Sequence, residues 1–230
     1  MLSLLLSLES RRIRAIQRAP AGPLRDYFSV PFPSRNADYR EVPFVAVDLE
    51  TTGLDARRDE IVAVGLVHFT ASHIELASAR HWLVTPTGAI PEASAVIHCI
   101  TDDKAAVGQP LDEVLAEVLP QLAGRVLVAH HAQVELQFLK AACATVYGEK
   151  LIIPAVDTQA LEQRRLDRWN QAYKAKELRL SALRRRYNLP RYRAHNALSD
   201  ALAAAELFLA QLAGSDPDDA LPLKRFLLQQ

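Results

Sequence analysis

The stretch from Val42 to Leu49 constrains the architecture of this chain more than any other. It is almost continuously apolar until Asp48, and Glu50 follows directly. A short, valine-rich run without polar alternation fits a strand covered on both faces. Such a strand needs sheet neighbours and a layer on either side of them.

The flanking segments supply both. Glu60 to Phe69 and His73 to Val84, rich in Val, Ile and Leu, read as the next two strands of a meander, with Gly53 and Asp55 in the first connection. Leu111 to Ala123 places apolar residues at three-and-four spacing and is followed by Gly124, which predicts an amphipathic helix. A short strand at Val126 to Ala129, a helix from Ala132 to Tyr147 closed by Gly148, and a strand at Leu151 to Val156 follow. Further helices are expected at 158–169, 178–187 and 197–213, the last stopped by Gly214. This order predicts an α/β fold, a mixed central sheet flanked by helices. Pro20, Pro23, Pro31 and Pro33 make residues 1–40 look like an appended extension with one short helix. The body is then expected over 41–214 and a short tail over 215–230.

Half of the 230 residues are apolar and 23% are charged, which excludes a disordered chain. No apolar run reaches the roughly 18 to 20 residues that span a bilayer, so no integral membrane association is expected. Met1 to Leu8 is apolar but is followed, rather than preceded, by arginines, a poor secretory signal. Cys99 and Cys143 have no C-x-x-C spacing and suit a reducing, cytoplasmic setting.

The formal net charge is zero, yet its distribution is uneven: +4 over 1–40, −10 over 41–163, +9 over 164–193 and −3 over 194–230. An acidic body beside a basic segment is what a metal-dependent enzyme acting on a polyanion needs. A solvated pair of basic helices is the plainer alternative.

Three carboxylate motifs stand out. Residues two apart on a strand share a face, so Asp48 and Glu50 point the same way at the end of the first strand. Like charges this close are costly in a buried strand unless cations neutralise them, and oxygen donors select Mg²⁺ or Mn²⁺ over zinc. A merely solvated acidic strand end is the alternative. Glu135 heads a helical stripe with Leu139, Ala142 and Val146, where it either joins the acids or complements the helix dipole. In His195-Asn196-Ala197-Leu198-Ser199-Asp200, a loop imidazole precedes a carboxylate in the first turn of the last helix.

Together these motifs resemble the DEDDh group of the DnaQ-like 3′-to-5′ exonuclease superfamily, over about Val42 to Leu212. Asp48 and Glu50 in V-A-V-D-L-E-T-T-G-L match its first motif, and His195 and Asp200 in A-H-N-A-L-S-D-A its third. Val96 to Asp102 is similar to its V-H-G-I-T segment, with Cys99 in place of glycine. Asp157-Thr158 is similar to a D-T at a later strand end, where a capping role is expected. The second motif departs: in H-H-A-Q-V-E, His131 replaces asparagine, Val134 phenylalanine and Glu135 aspartate.

The resemblance implies a ribonuclease H-like fold and hydrolysis of single-stranded 3′ ends, DNA rather than RNA, to 5′-nucleoside monophosphates. It implies two Mg²⁺ or Mn²⁺ ions on Asp48, Glu50, Glu135 and Asp200, with Glu50 catalytic as well and His195 taking a proton from the attacking water. Imidazoles are poor bases in acid, so activity is expected to rise from mildly acidic to alkaline pH. By the same resemblance Thr51, Thr52, Gly53, Leu54, His98 and Thr101 contact the terminal nucleotide. The +9 segment, with Trp169, Tyr173, Tyr187 and Tyr192 among its bases, would track a single strand. Two alternatives stand: a nucleic-acid-binding or polymerase-associated module with a weakened site, and a 3′-to-5′ exoribonuclease. Residues 1–40 are the expected docking element for a protein partner.

Overall fold

The structure is a computed structural model that describes residues 7–213 and 220–229. The apolar start up to residue 6, the Gly214 stop and residues 215–219 and 230 of the expected tail lie outside the described residues. Strand β1 (Phe44–Thr51) pairs antiparallel with β2 (Ile61–Phe69), and β2 antiparallel with β3 (Ile74–Leu83). On its other side β1 pairs parallel with β4 (Val126–Ala129), and β4 with β5 (Ala155–Asp157). The sheet therefore runs β3-β2-β1-β4-β5. β4 reaches only Phe44 to Ala46, so the second half of β1 is paired on the β2 side alone.

Alternation along β1 assigns its side chains to two layers. Val45, Val47 and Leu49 join a core built with α5 (Leu111–Leu122) and α6 (Gln133–Tyr147), including Leu115, Leu119, Leu136 and Leu139. Phe44 and Ala46 face the opposite way, onto Ala201, Ala205 and Phe208 of α9 (Ala197–Leu212). Aromatic rings lead that second layer: Phe44 stacks on Phe69 at 5.2 Å between centroids and meets Phe208 edge-on at 5.3 Å.

The N-terminal segment is integrated into the body. It forms α1 (Leu8–Arg18), capped by the Ser7 hydroxyl, and α2 (Pro23–Ser29). Pro23 occupies the first turn of α2, where its missing N–H costs nothing and its fixed φ suits a helix. Ala15, Ala19, Leu24, Tyr27 and Phe28 are buried in the same core as Val45 and Leu119, and the Tyr27 hydroxyl donates to the Ile152 carbonyl at 2.8 Å. The apolar faces of both helices are thus turned onto the body. The tail behaves likewise: Leu223 and Leu227 are buried, and Leu228 N–H donates to the Ala155 carbonyl at 2.8 Å along the outer edge of β5.

The remaining helices are α3 (Glu92–His98), α4 (Asp102–Ala105), α7 (Thr158–Arg168) and α8 (Leu180–Arg186). The strand expected from Leu151 shrinks to three residues, because Leu151 to Ile153 are buried but stand outside the ladder. The helix expected over 178–187 splits into a 3₁₀ turn, Ala175–Leu178, and α8.

Candidate active site

The same alternation that sends Val47 into the aliphatic core turns Asp48 and Glu50 to the α9 side of the sheet. There they meet Asp200. One ligand oxygen from each of Asp48, Glu50 and Asp200 lies within 4.8 Å of the others.

Gly65 makes this meeting possible. It sits opposite Asp48 on β2, and a Cβ there would overlap the backbone of Ala197 and Leu198, so the start of α9 rests directly on the strand. Two residues further on, α9 presents Asp200. A glycine inside an otherwise branched strand was the available signal of a close backbone approach.

The acids repel one another in a poorly solvated place. Burial, with the charge of Asp200, pushes Glu50 up to about 7. Burial and the negative charges of Glu135, Asp200 and Glu50 hold Asp48 well above the carboxylate range. Asp200 is also raised, chiefly by burial. Among the described residues no lysine or arginine forms an ion pair with these three. Three hard oxygen donors with uncompensated charge fit a divalent cation such as Mg²⁺ or Mn²⁺.

Glu135 enters from the first turn of α6. It is buried, and its Oε2 has no hydrogen-bond partner. Burial, with Asp157 and Glu50 nearby, pushes it up to about 8. It stands outside the close triplet of acids but near enough to raise Asp48. The turn into α6 is fixed by Asp157, whose carboxylate accepts from His131 N–H at 3.0 Å and caps α7 through Gln159 and Ala160 N–H. Asp157 therefore has the capping role, and His131, at φ 66°, takes the left-handed conformation ahead of α6.

His195 is also left-handed, at φ 63°, and its backbone N–H donates to Asp200 Oδ2 at 2.7 Å. With Glu50 it lines two open cavities. One, of about 580 Å³, also holds Asp48, Asp200, His130, Arg179, Arg185, Arg191 and Tyr192. The other, of about 670 Å³, holds His81, His98, Cys99, Lys104 and Arg193.

The turn after β1 lies beside the acids. Thr51 Oγ1 donates to the Gly53 carbonyl, Thr52 Oγ1 accepts from Glu60 N–H, and Ser94 Oγ on α3 donates to the Thr52 carbonyl. Leu54 projects from this turn, 82% exposed. His98 is buried; its Nδ1 accepts from Ile100 N–H, which leaves the proton on Nε2, and Nε2 has no partner. Thr101 is exposed at the start of α4 and lines neither cavity.

The basic segment is divided rather than continuous. Arg179, Arg185 and Arg191 line the cavity that holds Asp48 and Asp200, and Arg193 the other. Arg164, Arg165 and Arg168 lie round a separate hollow with Arg225. Trp169, 63% exposed, lines neither of the cavities at the acids.

Comparison with known proteins agrees with this geometry. The sequence profile of the RNase T exonuclease family matches residues 45–208. The chain is 32% identical over 177 residues to the DNA polymerase III epsilon subunit of Treponema pallidum, across 77% of this chain and 80% of that one. It is also 32% identical over 176 residues to the PolC-type DNA polymerase III of Thermotoga petrophila, but there it spans only 12% of the relative's length. The fold matches the nuclease domain of 3′hExo, described as a DEDDh family member bound to rAMP. The TM-score is 0.62 at 14% identity, over 77% of this chain and 94% of that one. The chain belongs to the exonuclease family whose profile spans residues 45–208, and it shares its fold with that DEDDh nuclease domain.

Proposed function

We propose that this chain removes nucleotides from single-stranded 3′ ends, DNA in preference to RNA, and releases 5′-nucleoside monophosphates. The observation that carries the reading is the triplet Asp48, Glu50 and Asp200, its oxygens within 4.8 Å and its charge unpaired, with His195 tethered to one member.

Asp48, Glu50 and Asp200 would hold Mg²⁺ or Mn²⁺, with Glu135 behind them as an outer ligand. A pair of such ions, when bound, supplies Lewis-acid stabilisation of the attacking and leaving oxygens. His195 takes the proton of the attacking water, and its place on the wall between the two cavities suits a group that works where the strand is cut. Thr51, Thr52, Gly53, Leu54 and His98 would receive the terminal nucleotide, Leu54 through its exposed side chain. Thr101 is further out and would act on the nucleotide only through the position of α4. Arg179, Arg185 and Arg191 would neutralise phosphates of the preceding strand, and Tyr192 offers a base-stacking face. With so few bases at the acids, the salt dependence should correspond to a few phosphates rather than to the whole +9 segment. The replication relatives support a cytoplasmic setting and a polymerase partner.

Glu135 favours a second reading, in which the module binds strands and cleaves weakly. A 5′-labelled oligonucleotide with Mg²⁺ or Mn²⁺ separates the two. The expected result is a ladder shortening from the 3′ end, absent with Asp48→Ala. Binding without cleavage at any metal concentration would favour the second reading. RNA and DNA strands of equal sequence, run in parallel, decide the sugar preference, which rests on contacts to the 2′ hydroxyl.

A further inference from the structure

Between α8 and α9 the chain crosses in a segment without regular structure, from Tyr187 to Asn196, and this segment carries His195. Asn188 and His195 near its two ends are both left-handed, at φ 55° and 63°. A connection of this kind is normally the least constrained part of a fold.

Here it is held by a buried guanidinium. Arg184 begins a run of three arginines that resembles a solvated helix face, yet it is 4% exposed while Arg185 and Arg186 are open. Its Nη1 donates to the Ala203 carbonyl at 2.8 Å. Its Nη2 donates to the Pro190 carbonyl at 2.7 Å and to Glu206 Oε2 at 2.6 Å. The Arg184 Cζ lies 4.5 Å from the centroid of the Tyr192 ring, and the Tyr192 hydroxyl donates to the other oxygen of Glu206 at 2.7 Å. One side chain thus joins α8, the crossing segment at Pro190 and Tyr192, and the helix that carries Asp200. Burying a guanidinium is unfavourable unless its donors are matched; here Nη1 and Nη2 make three bonds that converge on this junction, while Nε has no hydrogen-bond partner.

We propose that Arg184, Tyr192 and Glu206 are positioning residues that set the imidazole of His195 against Asp200. The proposal rests on the reading of His195 as the base. Tyr192 anchors the segment three residues before His195, and the bond from His195 N–H to Asp200 anchors it at the histidine itself. A base must lie within hydrogen-bond reach of the water it deprotonates, so small displacements of the segment fall on the rate rather than on strand binding.

The test is a set of double-mutant cycles. Glu206→Gln and Tyr192→Phe are made alone and in His195→Ala, with single-turnover rates measured on a short oligonucleotide in Mn²⁺. Each single variant should lower kcat by about tenfold, with KM within about twofold and the shape of the pH profile kept. In His195→Ala the same changes should cost less than about twofold. Tyr192→Phe retains the ring on Arg184 and keeps the test open if Glu206→Gln fails to fold. Equal losses with and without His195, or a loss confined to KM, would overturn the proposal. If His195→Ala itself cleaves at the wild-type rate, the reading of His195 as the base fails and takes this proposal with it. A slowed His195→Ala in which the losses are additive removes only the clamp.

Discussion

The two faces of β1 differ in kind although they alternate within eight residues. Val45, Val47 and Leu49 meet a dry aliphatic layer, whereas the opposite face begins with Phe44 and Ala46 on α9 and ends in Asp48 and Glu50 beside Asp200. The first face gains free energy from every contact it makes. The second begins the same way and then gathers repelling charges, so the fold gives up stability in order to place oxygens. The period of two lets one strand do both, with each function confined to its own side.

This contrast is open to attack from either face. Asp48→Ala should lower cleavage by at least about 10³-fold, since the ligand supports transition-state stabilisation worth several kcal/mol, while the metal-free protein melts no lower than wild type. Val47→Ala, next in sequence, should do the reverse: a loss of about 2 kcal/mol in urea unfolding with a near-normal rate at low temperature. If Asp48→Ala destabilised as much as Val47→Ala, the division of labour would be wrong.

Deleting residues 1–38 attacks the aliphatic face as a whole. Five buried side chains between Ala15 and Phe28 leave its core, each of the large ones worth roughly 1.5–3 kcal/mol against a total stability of about 5–15 kcal/mol. The truncated chain should fail to fold cooperatively. A soluble, active fragment would show that the two helices are dispensable.

Gly65→Ala tests how the acidic face is assembled. The added methyl must displace the backbone at Ala197 and Leu198, and with it Asp200. Metal affinity and rate should both fall, by about tenfold or more, whereas Ala63→Gly on the same strand should cost stability alone.

The pH dependence of stability is a smaller effect with a definite sign. Unfolded glutamates lose their protons near about 4.3, but Glu50 holds its proton to about 7 and Glu135 to about 8 in the folded chain. Between those limits the folded state binds more protons, so metal-free stability should be greatest in acid and decline from about pH 5 to 8. Divalent ions should remove the decline. Glu135→Asp should have the slightest effect, moving the half-saturating Mn²⁺ concentration by less than about tenfold. A larger shift would make Glu135 a direct ligand.

Most of the sheet was legible because it rests on local periodicity. The strand period put Asp48 and Glu50 on one face, but it left a solvated strand end as an alternative, and only the family resemblance of the motifs taken together joined Asp200 to them. Gly65 was not legible in the same way, because its role depends on lying opposite Asp48 and beneath α9, two non-local facts. Arg184 looked like its neighbours Arg185 and Arg186; burial alone separates them. The prolines of residues 1–40 suggested an appendage, but Pro23 starts a helix, and small residues such as Ala15 and Ala19 gave little sign that they pack without exposure.

The strand order has one more consequence. β1 continues past the end of its pairing with β4, at the place where the chain, after running outward through β2 and β3, returns to build the other half of the sheet. In open α/β sheets such a topological switch point leaves a crevice beyond the carboxyl ends of the strands. The cleft is therefore a property of connectivity, and the acids are its tenants. A descendant that lost Asp48 or Asp200 would keep the cleft and lose only the charge gathered in it, without any change of fold.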